Sequence, residues 1–76
     1  MATKAFVLIE TVAGKNKEAI NELRQLEGVK SVDTVTGPYG IILVAETETL
    51  SDIGELVIDK IHPISNISRT VTCLIM

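Results

Sequence analysis

Basic residues are few in this chain of 76: seven Lys and Arg stand against ten Asp and Glu, for a net charge of −3. Duplex binding needs a basic face that displaces counterions from the phosphates, and here the positive charges are scattered along an acidic chain. Direct nucleic-acid binding is not expected. Cysteine is nearly absent too. Cys73 alone cannot close a disulfide within the chain, and a single thiol fits a reducing compartment. With one Cys and one His there is no His/Cys metal cluster, and nothing implies a cofactor. No apolar run approaches the ~20 residues of a membrane span. The segment Met1–Phe6 carries a charge but no signal-peptide cleavage pattern. Linkers, low-complexity runs and charge blocks are missing as well. The expectation is one cytoplasmic domain over residues 1–76, with no membrane partner.

What is present is apolar. Hydrophobic residues make up 46% of the chain and charged residues 22%, which is too apolar for disorder. Lys4–Val12 is rich in β-branched and aromatic types and is flanked by Gly14, so it reads as strand β1. From Asn16 to Leu26, Ala19, Ile20, Leu23 and Leu26 recur at helical spacing, giving α1, with Gly28 as its C′ stop. Val29–Thr36 alternates weakly and reads as β2; Gly37-Pro38-Tyr39-Gly40 is a turn by residue chemistry. Ile41–Glu46, apolar on both sides, is β3. Thr49 starts α2, with Asp52 three residues on as a variant capping box, and Leu50, Ile53, Leu56, Val57 and Ile61 as the buried stripe. His62-Pro63 ends it. Ile67–Met76, rich in Ile, Val and Thr, is β4.

The order βαββαβ, with right-handed crossovers, predicts an α+β, ferredoxin-like fold. Its four-stranded antiparallel sheet has the order 4-1-3-2, with two helices on one face. β1 and β3 then lie in the centre, as their two-sided apolar character requires. The other face of the sheet should be polar unless it is covered. Here it is apolar: in β1, Ala5, Val7 and Ile9 oppose Phe6 and Leu8; in β3, Ile41, Leu43 and Ala45 oppose Ile42 and Val44; in β4, Val71, Cys73 and Ile75 oppose Leu74 and Met76. Whichever set meets the helices, the other forms a patch that a monomer rarely tolerates. A second copy, sheet against sheet, is the economical cover; another domain of a longer protein is the alternative. Gly54, on the apolar side of α2, marks either a close approach to sheet or partner or a tolerated blemish.

Chemistry is sparse. His62 at a helix C-terminus favours the helix dipole. Cys73, inside an apolar strand, reads as a small core hydrophobe rather than a nucleophile. Gly14-Lys15-Asn16 lacks the glycine spacing of a phosphate loop and reads as a plain helix start. No catalytic group stands out, so an enzyme is not expected. Two segments remain. Thr36–Gly40 offers backbone N–H groups from two glycines and holds the only Tyr; Ser68, Thr70 and Thr72 alternate onto one face of β4. Hydroxyls beside backbone donors can hold a small zwitterion.

At these segments the sequence resembles the ligand-binding (RAM) domain of the Lrp/AsnC family. Thr36-Gly37-Pro38-Tyr39-Gly40-Ile41 is similar to that domain's TG-x-Y-D hairpin, and Ile67–Thr72 to its closing V-x-x-[ST]-x-T strand. Ala5–Ile9 and the Gly14-Lys15 helix start are similar too. The resemblance implies dimers packed sheet to sheet, assembled further into even-numbered rings. It also implies an amino-acid effector between dimers near the β2–β3 turn. The residues matching the ligand site are Gly37, Pro38, Tyr39 and Gly40 in the loop and Thr70 and Thr72 on β4. One departure is Gly40, which stands where the family has Asp and removes a carboxylate that positions ligand or loop. Family regulators carry a helix-turn-helix before this domain. This chain begins at β1 with its own Met, so it is expected to be a stand-alone module that joins a full-length Lrp/AsnC regulator.

Three readings stand side by side: such an effector-binding module, an ACT-type amino-acid-binding subunit of a metabolic enzyme, and a dimeric α/β-barrel enzyme. The ACT type would bind between β1 and α1. The barrel enzyme needs a His, an acid or a cofactor in the sheet face, where only aliphatic side chains fall.

Overall fold

A computed structural model describes residues 2–75. The elements are β1 (Thr3–Thr11), α1 (Asn16–Arg24), β2 (Val29–Thr34), β3 (Ile41–Thr47), α2 (Leu50–Glu55, continued by a π-helical turn Leu56–Ile61) and β4 (Ile67–Leu74). The sheet is antiparallel throughout with the order β2-β3-β1-β4, which is the expected 4-1-3-2 read from the other edge. Met76, expected in β4, lies outside the described residues.

Register assigns the faces. Ala5, Val7 and Ile9 pair with Ala45, Leu43 and Ile41 and are fully buried beneath the helices. They meet Ala19 and Leu23 of α1 and Ile53, Leu56, Val57 and Ile61 of the second helix in one core. Phe6 and Leu8, paired with Val44 and Ile42, point to the side that no helix covers. β4 follows the same rule. Thr72 and Thr70 pair with Val7 and Ile9 and so lie on the helix side; Cys73 and Val71 pair with Phe6 and Leu8 and lie on the open side. Cys73 is therefore exposed and is not the core residue that its apolar neighbours suggest. An apolar strand at an uncovered sheet has no core on its second side.

The helices differ from expectation in three places. Helical hydrogen bonding in α1 gives way after Arg24 to tighter i→i+3 bonds, Gln25 N–H to the Glu22 carbonyl and Leu26 N–H to the Leu23 carbonyl, both 3.2 Å. Gly28, at φ +94°, then turns the chain into β2 rather than capping the helix directly. Leu50, counted in the buried stripe of α2, is 58% exposed. The other four stripe residues are buried, and the π turn brings Leu56 and Ile61, five positions apart, onto one side, closed by His62 N–H to the Val57 carbonyl at 2.9 Å. Half of the expected capping box forms: Thr49 Oγ1 accepts from the Asp52 N–H at 3.1 Å, and among the described residues no bond returns from the Thr49 N–H to the Asp52 carboxylate.

β1 and β4 do not stay in step. Their register shifts between Glu10 and Thr11, leaving Ser68 as the extra residue of a bulge. Ser68 Oγ donates to the Glu10 carbonyl at 3.1 Å and lies 3.3 Å from Glu10 Oε1.

Candidate functional site

The β2–β3 turn stands at one end of the sheet. It is closed by Val35 N–H donating to the Gly40 carbonyl at 2.8 Å. Gly37 has φ +135° and Gly40 φ +76°, so both occupy backbone that L side chains resist. Open space surrounds Gly37: nothing lies within 4 Å of where a Cβ would stand. Gly40 sits against α1, with Asn16 Nδ2 3.7 Å from that point. Asn16 in turn accepts a hydrogen bond from Thr11, so the end of β1, the start of α1 and the turn form one corner. Pro38 is exposed and Tyr39 half-buried.

Among the described residues no hydrogen bond joins Tyr39 to Thr70 or Thr72. Tyr39 meets Arg69, whose guanidinium carbon lies 5.5 Å from the ring centroid in a cation–π contact. Arg69 pairs with Glu10 on the open side of the sheet, where Ser68 also touches Glu10. Thr70 points the other way and hydrogen-bonds His62 Nε2 at 2.7 Å, pinning the end of the second helix to β4. Thr72 is exposed on that same helix side. Within the chain the six expected ligand residues thus fall into two groups: the turn with Tyr39, and the hydroxyls of β4 on the helix side of the sheet. Arg69 is the residue that the sequence reading passed over. Its signal was the alternation of the strand, which puts it opposite Thr70.

One depression borders the β4 group, and two lie away from both groups. The first, a small one of ≈ 130 Å³, is lined by His62, Ile67, Ser68, Arg69 and Thr70. Two wider ones, of ≈ 660 Å³ and ≈ 590 Å³, share Lys30, Glu46, Thr47 and Glu48 at the opposite end of the sheet, and the second runs beside α2. Its walls carry Glu27, Glu46, Glu48, Asp52, Glu55 and Asp59 against Lys30 and Lys60. Glu46 pairs with Lys30 at 3.7 Å. Neither of the wider depressions holds any of the expected ligand residues. Among the described residues no group of three or more His, Cys, Asp and Glu is placed to hold a metal ion, and no helix is long and apolar enough to cross a membrane.

Comparison with known proteins agrees with the fold and with the motifs. A profile described as the Lrp/AsnC ligand binding domain matches residues 4–76. An uncharacterised HTH-type transcriptional regulator of Pyrococcus furiosus is 31% identical over 75 residues, spanning 95% of this chain and 50% of its own length. The chain thus spans about half the length of the curated relatives it matches. Among solved structures, FFRP-DM1 superposes with a TM-score of 0.93 at 34% identity, covering 97% of this chain and 99% of its own. A hypothetical protein of Pyrococcus horikoshii, PHS023, gives 0.91 at 34% identity, covering 100% of this chain and 90% of its own.

Proposed function

We propose, from the premise that this chain belongs to the Lrp/AsnC ligand-binding domain family, that it is an effector-binding and assembly module of transcription regulation. Two copies pack their open sheet faces together, and dimers join into a larger even-numbered ring. An amino acid or a related small metabolite sits at the β2–β3 turn where dimers meet. The liganded ring acts on transcription through a full-length regulator that carries the DNA-binding part.

The observation that carries this reading is the pair of faces on β4. In one protomer Thr70 and Thr72 lie on the helix side, away from Tyr39. A site built from all six residues therefore needs the turn of one protomer and the strand of another, and that is a site between subunits. The chemistry is suited to a zwitterion. Backbone N–H groups around Gly37 and Gly40 serve a carboxylate; carbonyls and the threonine hydroxyls serve an ammonium group. Tyr39 and Arg69 wall the turn. The absence of a carboxylate at position 40 leaves ammonium recognition to these neutral groups.

The test is a thermal-shift screen of the intact protein against the twenty amino acids, read together with light scattering. At least one should raise the unfolding midpoint and change the size of the assembly. No response to any of them would overturn the effector reading. A ligand located between β1 and α1 instead would favour the ACT-type mode.

A further inference from the structure

Asn16 turns its side chain away from its own helix. It is the first residue of α1, whereas Asn serves a helix best one position earlier, as the cap. That position is Lys15, which makes no side-chain cap bond. The half-buried Asn16 amide lies instead between the end of β1 and the β2–β3 turn. Its oxygen accepts the hydrogen bond from the Thr11 hydroxyl, and its nitrogen stands 3.7 Å from the place a Gly40 Cβ would take. Apart from the sequence neighbours of Gly40, no other heavy atom comes within 4 Å of that place.

The two ends of an amide differ: the oxygen only accepts and the nitrogen only donates. Thr11 holds the oxygen, so a donor faces the turn. Among the described residues that nitrogen finds no acceptor. Glu18, the acid in the first turn of α1, is drawn to Lys15 at 3.7 Å. The turn adds donors of the same kind, since the N–H groups of Gly37, Tyr39 and Gly40 meet no backbone carbonyl among the described residues. Because residue 40 has no side chain, nothing of its own lies between these N–H groups and the Asn16 amide.

A corner with several donors and no acceptor engaging them suits a ligand group that only accepts, and a carboxylate is the strongest such group. The bond to Thr11 adds preorganisation, because the amide is oriented before any ligand arrives. We propose that Asn16 is a specificity residue of the effector site: its amide nitrogen donates to the carboxylate of an amino acid bound at the turn. Thr11 is the positioning residue that fixes which end of the amide faces the ligand. The proposal rests on the effector reading and extends it to a residue outside the six expected ones. It also assigns a selectivity, for a free carboxylate over a carboxamide, whose NH2 would meet a donor with a donor.

The probes are the twenty amino acids, each beside its α-carboxamide, screened by thermal shift and measured by calorimetry on the intact protein. The parent should bind an amino acid at least about tenfold more tightly than its carboxamide. Asn16→Asp keeps an acceptor for Thr11 and places an acid in the first turn of a helix, so the thermal midpoint without ligand should hold or rise. It also sets a carboxylate against the bound carboxylate. Affinity for the amino acid should fall by at least about tenfold, equivalent to ~1.4 kcal/mol, and the preference over the carboxamide should shrink or reverse. Thr11→Val frees the amide to rotate and should shrink that preference as well. The inference is overturned if an amino acid binds the parent and Asn16→Asp binds acid and carboxamide as the parent does. Equal weakening of both overturns it too, since that is the mark of a purely structural role. So does an amino acid whose binding responds to Asn16→Asp but not to Gly37→Val, because it would then lie between β1 and α1, away from the turn. A parent that binds none of the twenty removes the effector reading and this inference together, which sets that outcome apart from the failure of Asn16 alone.

Discussion

Arg69 and Thr70 are adjacent in sequence and face opposite sides of the sheet, and that separates their roles. Thr70 is committed to His62, at 2.7 Å. Thr70→Val should therefore lower the unfolding free energy by ~0.5–1.5 kcal/mol even without ligand. Thr72, exposed on the same side, carries no such bond among the described residues, so Thr72→Val should leave stability unchanged and report on the proposed effector site alone. Urea unfolding and calorimetry on the two variants check this; equal stability of Thr70→Val and parent would mean that the His62 bond contributes nothing. Gly37→Val faces no neighbour, so its penalty is backbone strain at φ +135°, ~1–3 kcal/mol. The turn residues were legible because Gly, Pro and Tyr in that order announce a turn. The Tyr39–Arg69 contact was not, because it crosses between strands distant in the chain and no local pattern encodes it. Cys73 misled for a related reason: its neighbours are apolar, but they are apolar for a face that a single chain does not cover.

At the scale of elements, β1, β3 and β4 were readable from their β-branched and apolar content, β2 from a weak alternation, and the helices from their apolar spacing, within a few residues at the ends. What escaped was the change of pitch after Glu55. Ile53, Val57 and Ile61 are spaced for an ordinary helix, and nothing in their types distinguishes a π turn; the wider turn is settled by packing Leu56 and Ile61 into the same core. The start of that helix is simpler. Thr49 is its cap, and the first turn has only Asp52 to add. Thr49→Ala should cost ~1 kcal/mol, seen as a lower midpoint in thermal unfolding. Thr49→Asp should recover most of it, since a carboxylate accepts the same bond and suits the helix N-terminus. If Thr49→Ala unfolds at the parental midpoint, the cap is ornamental in this short helix.

For the whole molecule, the faces of the sheet make opposite demands. Val7 is fully buried beneath the helices, while Leu8 next to it lies on the open side with Phe6, Ile42 and Val44. Val7→Asp should unfold the protein, because it places an unpaired carboxylate in the core. Leu8→Asp and Val44→Asp should instead give a folded species of lower mass, by sedimentation and circular dichroism. A parent chain that is already monomeric at micromolar concentration would remove the basis of the assembly. That both faces are apolar was plain from the sequence; which face was which needed the register, since alternation fixes the sets but not their direction. The same symmetry poses a problem during folding. β1 must find β4 across nearly the whole chain, the slowest kind of pairing to recover its loop entropy. A slip by one position would exchange Val7 for Leu8 and still bury aliphatic side chains on both sides, so hydrophobic burial alone discriminates poorly against it. The bulge at Glu10 and Thr11 adds a preference that burial lacks: its extra residue, Ser68, sets its hydroxyl against both the carbonyl and the carboxylate of Glu10. It serves as a register pin, a small irregularity that protects a central strand from misthreading while the protein folds.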